Sequence, residues 1–585
     1  MKKNDVSRTV AIGVQDYETL IRNNYFYVDK TSFIKEWWEN GDSVTLIARP
    51  RRFGKTLNMS MLEAFFSNRY ENRPDLFEGL SIWQEEDYRN LQGTYPVISL
   101  SFANIKETSY ELVVFRICQI IQRMYAENDY LSKSEKLSES ERKKVIHYAD
   151  RLEEKEAVMA INEMSYYLMK HFGKKVIILL DEYDTPMQEA YVYGYWEEFT
   201  SFIRSLFNAT FKTNAYFERA IMTGITRVSK ESIFSDLNNL KVVTTTSNQY
   251  ATAFGFTEKE VFAAMDEMSL SDKEGVKRWY DGFIFGNVAD IYNPWSIINY
   301  LDEQVLTTYW ANTSSNSLVS KLIRESGGDT KQLFEQLLQG EIIEVPVDEQ
   351  IVYNQLSNSE SAIWSLMLAT GYLKVISYQK EEEISGNRNV LYRLTLTNEE
   401  VRRMFCRMVG SWFEGVREKY NRFIKALLAG DLDAMNEYME SISMQVFSYF
   451  DIGSKQNGNK EKESDYNRNE TSLRSDPERF YHGFVLGLLV ELSDHYIVKS
   501  NRESGFGRYD LMLCPKEAGK EAIIIEFKVR KPKKEKDLEA TVQAALQQIE
   551  DKQYDAELKE LGFSDAQIRK YGFAFEGKEV LIGEA

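Results

Sequence analysis

Two short runs in this chain have the residue types and spacing to do chemistry on phosphates. The first is residues 49–56 (RPRRFGKT), which follow the apolar run 43–48 (SVTLIA) and precede a helical pattern over 57–66. A phosphate cradle needs backbone N–H groups close to the anion, a lysine for the outer phosphates and a hydroxyl for a magnesium ion, all at a helix N-terminus. Gly54, Lys55 and Thr56 meet those needs, with Arg52, Phe53 and Leu57 around them. Arg49 stands where the pattern's first glycine is expected, and with Arg51 and Arg52 it is expected to add positive charge. The second half of such a site is an acid at the end of a neighbouring strand, and residues 175–184 (KVIILLDEYD) provide it. Asp181 would hold Mg²⁺ through water and Glu182 would polarise an attacking water. A further strand runs into residues 223–227 (TGITR), where Thr226 or Arg227 would sense a terminal phosphate. The ligand this combination fits is ATP with Mg²⁺.

The second run pairs residues 508–513 (RYDLML) with 523–528 (IIIEFK), placing Asp510 16 positions before Glu526. Side chains alternate along a strand, so Glu526 and Lys528 face the same way. Two carboxylates so placed can hold Mg²⁺, or Mn²⁺, through oxygen. The metal would stabilise charge on a phosphodiester and lower the pKa of a bound water, while Lys528 would position that water or stabilise the transition-state charge. Glu478, on the helix expected over 477–492, is the candidate for a further metal ligand, with Glu491 behind it. Glu503 is another approach to the metal, and Gln547 or Gln548 would support the site from the following helix. Residues 528–536 (KVRKPKKEK) are basic in six positions of nine, suited either to a phosphate backbone or to a solvated turn.

The elements that must position these residues are legible in outline. Strand-like runs at 43–48, 97–102, 175–180 and 220–222 alternate with helical patterns such as 153–169, which implies a parallel sheet with helices on both faces. Residues 255–450 are richer in helical patterns. The C-terminal part reads as helix, strands at 496–499, 509–513 and 522–529, then a helix at 538–551. Two polar runs, 131–145 and 453–475, read as linkers or insertions, because neither carries enough apolar surface to offset its ordering entropy. The expected organisation is a phosphate-loop domain over 1–254, a mostly helical region over 255–452, a linker over 453–475 and a small α/β domain over 476–585.

With these motifs in view, the chain resembles the bacterial and archaeal AAA-ATPase-like proteins that carry a C-terminal PD-(D/E)xK nuclease-like domain. The matching segments are 25–31 (YFYVDKT), 49–57, 180–184 (LDEYD), 223–227 with 232–239 (SIFSDLNN), and 279–294. The resemblance implies an AAA+-like or STAND-like ATPase core, and arginine at position 49 is usual within it. It also implies a nuclease-like core in which Asp510, Glu526 and Lys528 match the motif and Tyr509 replaces its usual proline.

The 585 residues carry 72 Lys and Arg against 90 Asp and Glu, a net charge of −18. Such an acidic chain does not coat nucleic acid non-specifically. Cys118, Cys406 and Cys514 form no CxxC pair, so neither a disulfide framework nor a thiolate zinc site is indicated. No signal-peptide pattern and no long apolar run occur, and the expected location is the cytoplasm without a membrane. The leading expectation is an ATP-regulated, metal-dependent nuclease acting on nucleic acid, DNA ahead of RNA. A different class of function is an ATP-dependent switch or scaffold whose nuclease-like domain binds nucleic acid or a partner without cutting it. A homo-oligomer is compatible with the sequence, because many such ATPases borrow a neighbour's arginine, with Arg204, Arg219 and Arg227 as candidates.

Overall fold

The computed structural model describes residues 8–225, 233–234, 237–311, 317–348, 360–380, 390–412, 417–440, 484, 487–488, 490–493, 495–504, 507–517, 519–532, 534–576 and 579–585. Thr226, Arg227, Glu478 and the expected linker 453–475 lie outside the described residues. The chain divides into two compact units, Met1–Ser315 with Ile342–Arg402, and Asn316–Glu341 with Arg403–Ala585. Residues 255–452 therefore contribute to both.

The first unit is built on a five-stranded parallel sheet. Its strands are β1 (Val44–Ala48), β2 (Val97–Ser101), β3 (Val176–Asp181), β4 (Phe217–Gly224) and β5 (Leu240–Val243), in the order β2-β3-β4-β1-β5. Every residue of β1 and β3 is buried, as continuous apolar strands covered by helices on both faces must be. β4 lies between β1 and β3, with Ala48 beside Gly224 and Leu180 beside Met222. The C-terminal ends of the strand before the phosphate loop and the strand bearing the acid are thus separated by one strand end, which carries Thr223. Two small antiparallel sheets complete the unit. One is β6 (Phe256–Thr257), β7 (Phe283–Phe285) and β8 (Val288–Tyr292) in the order β6-β8-β7, and the other is β9 (Ile343–Pro346), β10 (Leu373–Lys380) and β11 (Val390–Leu396) in the order β10-β11-β9.

The polar run 131–145 is not a linker. Residues 129–133 form a 3₁₀ turn and Glu139–Asp150 an α-helix. A capping box starts the helix, with the Ser138 and Glu141 side chains each closing on the other's backbone N–H. Leu131, Leu137, Val145 and Tyr148 are buried, and Lys170 and Lys144 pair with Glu141 and Glu163 at 2.8 and 2.5 Å. Sparse apolar residues at helical spacing suffice once a neighbouring helix, Glu154–Phe172, offers a surface and counter-charges.

The second unit contains a five-stranded mixed sheet of β12 (Tyr496–Ser504), β13 (Gly507–Pro515), β14 (Ala522–Val529), β15 (Ile568–Glu576) and β16 (Glu579–Glu584), in sequential order. The expected strands are present, and β15 and β16 add two that alternation alone did not signal. β14 and β15 run parallel, which requires a crossover, and the helix Leu538–Asp551 supplies it. That helix sits unusually close to the sheet. A Cβ at Gly572 would meet the Val542 carbonyl oxygen at 2.9 Å, and one at Gly583 would meet Val542 Cγ1 at 2.5 Å.

Arg49 departs from expectation. Its guanidinium is fully buried and donates to the carbonyl oxygens of Ala48 at 3.2 Å, Gln249 at 3.2 Å and Thr244. It also lies 4.5 Å from the Phe285 ring. The side chain therefore closes the gap between β1 and the turn after β5 instead of charging the open face of the loop. Arg49→Ala strips buried carbonyls of their donor and leaves a void, so it is expected to cost about 3 kcal/mol or more of stability in urea unfolding. Unchanged stability with weakened nucleotide binding would instead put the guanidinium at the phosphates.

Candidate nucleotide and metal sites

The loop from Arg49 to Gly54 joins β1 to the helix Lys55–Phe66. Gly54 has φ of +78°, the left-handed conformation that glycine adopts without a Cβ penalty. Arg52 reaches a similar conformation at +65°, with its guanidinium 4.3 Å from the Trp295 ring. The Phe53 side chain is buried against Phe283 and Phe285, at ring separations of 4.7 and 5.3 Å. The expectation for Phe53 thus falls to its backbone. Lys55 is buried, and its ammonium donates to the loop's own carbonyls, Arg49 O at 3.0 Å and Pro50 O at 2.9 Å. Burial holds its pKa below the ordinary lysine value, so a phosphate would offer this cation a better partner than the carbonyls do.

Asp181 is the centre of the arrangement. It is buried, and it accepts the Thr56 hydroxyl at 2.7 Å on one oxygen and the Thr223 hydroxyl on the other. Burial raises its pKa, and the two hydroxyl bonds oppose that rise. Thr223 in turn accepts the Glu182 N–H at 3.3 Å. Glu182 has φ of +51°, a strained conformation for a residue with a side chain. Its carboxylate accepts the Thr185 hydroxyl at 3.1 Å. A cavity of about 430 Å³ opens over Lys55, Thr56, Leu57 and Glu182, and Val14, Phe26 and Trp295 give it apolar walls. A hydroxyl and a carboxylate side by side are hard oxygen donors of the kind Mg²⁺ prefers. Thr223 was not singled out from the sequence. The available signal was register, because the residue after Met222 on the intervening strand must lie beside Asp181.

In the second unit, β13 and β14 are antiparallel with Leu511 opposite Ile525. One further step in that register sets Asp510 opposite Glu526. The Phe527 N–H donates to Asp510 Oδ2 at 2.8 Å. Glu526 is buried, and among the described residues its Oε2 meets no hydrogen-bond donor. Burial pushes the Glu526 carboxyl up to about 8, with the Asp510 charge adding to it. Burial likewise raises Asp510, against the opposing Phe527 bond. A buried carboxylate oxygen without a donor, beside a second carboxylate, is what a divalent cation would satisfy.

Gln548, not Gln547, supports this site. Gln548 donates to Glu526 Oε1 and to Tyr554 Oη at 3.0 Å, and it accepts the Lys528 ammonium at 2.6 Å. Gln547 is exposed and bonds Asp551 one turn on, at 2.7 Å. Tyr554, buried beyond the end of the helix, was missed, since nothing local marks it. Glu491 is exposed and acts electrostatically on Tyr420. Glu503 lies on β12 opposite Arg508. The basic run after Lys528 forms a turn in which Lys531, Lys534 and Lys536 are exposed, while Arg530 pairs with Glu576 at 2.5 Å. A third acidic group, Glu258, Asp281 and Asp290, gathers in the first unit, with Lys277 2.5 Å from Glu258.

The raised pair fixes a pH dependence. A carboxyl whose folded pKa lies above its unfolded value costs stability as pH rises from the unfolded value, 4.5 for Glu526, through about 8. In chelator, wild-type stability is expected to fall across that window. Glu526→Gln is expected to flatten the fall and to be about 1–3 kcal/mol more stable than wild type at pH 8, while losing stabilisation by Mg²⁺. Urea unfolding at pH 5 and pH 8 checks this, and equal slopes in both proteins would clear the pair of responsibility.

Comparison with known proteins agrees with this geometry. Residues 11–234 match the family model described as a predicted AAA-ATPase, and residues 476–585 match that of the PD-(D/E)XK nuclease superfamily. The chain is 26% identical over 401 residues to the "Uncharacterized protein in vnfD 5'region" of Azotobacter chroococcum mcd 1, and the match covers 68% of each chain. Among the described residues, no helix is long and apolar enough to cross a membrane. With the buried Asp181 beside Thr56 in one unit and the opposed Asp510 and Glu526 in the other, the chain resembles AAA-ATPase-like proteins over residues 11–234 and the PD-(D/E)xK nuclease superfamily over residues 476–585.

Proposed function

We propose that this protein binds and hydrolyses ATP with Mg²⁺ in its first unit, and that its C-terminal domain cleaves nucleic acid, DNA in preference to RNA, with Mg²⁺ or Mn²⁺. The observation that carries the nuclease reading is the buried Glu526 Oε2, without a donor among the described residues, on the same face as Asp510 and Lys528. Beside a second carboxylate and a lysine on the same face, such an oxygen supports a cation site.

In the ATP site, the Lys55 ammonium exchanges its loop carbonyls for phosphate oxygens. Thr56 and Asp181 would hold the metal, which supplies charge neutralisation on the phosphates when bound. Glu182, held by Thr185 and by the Thr223 relay, orients the attacking water. In the nuclease-like domain, Asp510 and Glu526 would hold the metal, and Lys528 places its positive charge at the scissile phosphate. Gln548 fixes the spacing of Glu526 and Lys528 by bonding both. The nucleotide state regulates cleavage, in a setting such as defence against mobile DNA or DNA maintenance.

The test uses full-length protein with labelled single- and double-stranded DNA and RNA, Mg²⁺ or Mn²⁺, and ATP present or absent. Asp510→Ala is expected to lower cleavage at least 100-fold, and Lys55→Ala to remove the ATP effect while leaving metal-dependent cleavage. Phosphate release without cleavage of any substrate would favour the switch or scaffold, with a C-terminal domain that only binds.

A further inference from the structure

The cavity over the phosphate loop is lined by Lys30, Arg51, Arg52, Lys55 and Lys106. Four of these cations are occupied. Lys30 bonds both Glu260 oxygens and the Thr252 carbonyl at 2.7–2.8 Å. Arg51 donates to Gln188 at 3.2 Å, Arg52 lies against Trp295, and Lys55 is held by its own loop. Lys106 is exposed, and among the described residues its ammonium has no hydrogen-bond or ion-pair partner.

Its backbone, by contrast, is fixed on both sides. β2 runs beside β3 with Ser101 at Asp181, and the Phe102 N–H donates to the Asp181 carbonyl at 2.9 Å. Ile105 is buried, and its N–H closes on Phe102 O at 3.0 Å. Tyr195 donates to the Glu107 carbonyl at 2.6 Å, and the Glu107 carboxylate takes Arg116 at 3.0 Å. A free cation on an anchored backbone, lining the same cavity as Glu182, has the properties of a group placed in advance for developing negative charge. Arg219, one of the arginines considered for a neighbour's site, is committed instead to the Trp37 and Trp38 carbonyls at 3.3 and 2.5 Å.

We propose that Lys106 is a catalytic residue that stabilises, within the same chain, the charge developing on the terminal phosphate during ATP hydrolysis. The proposal rests on the ATPase reading above. A water oxygen bonds the γ-phosphorus, and the bond from that phosphorus to the bridging oxygen breaks with its electron pair leaving on ADP. The water's proton passes to Glu182 and on to solvent. Lys106 pairs with the equatorial oxygens, whose charge the transition state spreads.

Steady-state phosphate release by the full chain, with ATP and ADP affinities measured alongside, tests this. Lys106→Ala is expected to lower kcat at least tenfold with KM for ATP and affinity for ADP within threefold of wild type, and Lys106→Arg to recover most of the rate. The side chain is exposed, so folding is not at issue. Wild-type kcat in Lys106→Ala overturns the proposal, as does a loss confined to KM and ADP affinity, which would make Lys106 a binding residue. A wild-type protein that neither binds ATP nor releases phosphate would defeat the ATPase reading itself. That outcome differs from the others because Lys55→Ala would then match wild type.

Discussion

A carboxylate taken out of water has to be met by hydroxyls, amides or cations, and in this chain that requirement decides where the chemistry sits. Asp181 is satisfied by two threonines from two different elements, Thr56 on the helix after β1 and Thr223 on β4. That double bond of hydroxyls draws the ends of β1, β3 and β4 into one layer. Among the described residues, Glu526 is satisfied on one oxygen, by Gln548. The two sites therefore differ in kind. The first carboxylate is closed by hydroxyls on both oxygens, whereas the second keeps one oxygen without a donor among the described residues.

The parallel sheet explains why the first site is where it is. Loops at the C-terminal ends of neighbouring parallel strands converge, and a strand order that separates β1 from β3 by one strand leaves a crevice there. The mixed sheet of the second unit uses another device. Antiparallel pairing of β13 and β14 brings Asp510 and Glu526 face to face. The parallel crossover from β14 to β15 then lays a helix over them, closely enough at Gly572 and Gly583 for Gln548 to reach both motif residues.

What the sequence made legible was local. Gly54, Lys55 and Thr56 follow one strand directly, Asp181 ends another, and Glu526 and Lys528 share a strand, so spacing alone places them. The strands at 43–48 and 175–180 were visible as largely apolar runs, and that at 97–102 as an alternation of apolar residues with serine. What was not legible depended on partners distant in the chain. Thr223 matters only because β4 inserts between two earlier strands. The choice of Gln548 over Gln547 depends on how the helix is rotated against the sheet. The helix Glu139–Asp150 looked like a linker because its stability comes from a cap, a few buried apolar residues and ion pairs with the neighbouring helix Glu154–Phe172, partners the local sequence does not show.

Arg49 carries a lesson about reading other chains. A glycine at that position would leave a hole beside β5. The arginine fills it with a cation that three carbonyls and an aromatic ring hold in place. The first half of the loop is thereby bolted to the sheet, and freedom to reshape around an anion is confined to the stretch from Pro50 to Gly54. A pattern that demands glycine there would pass over this loop. A pattern that instead accepts a large cation, provided the turn after the edge strand offers bare carbonyls, would find it, and would sort phosphate loops by how they are anchored.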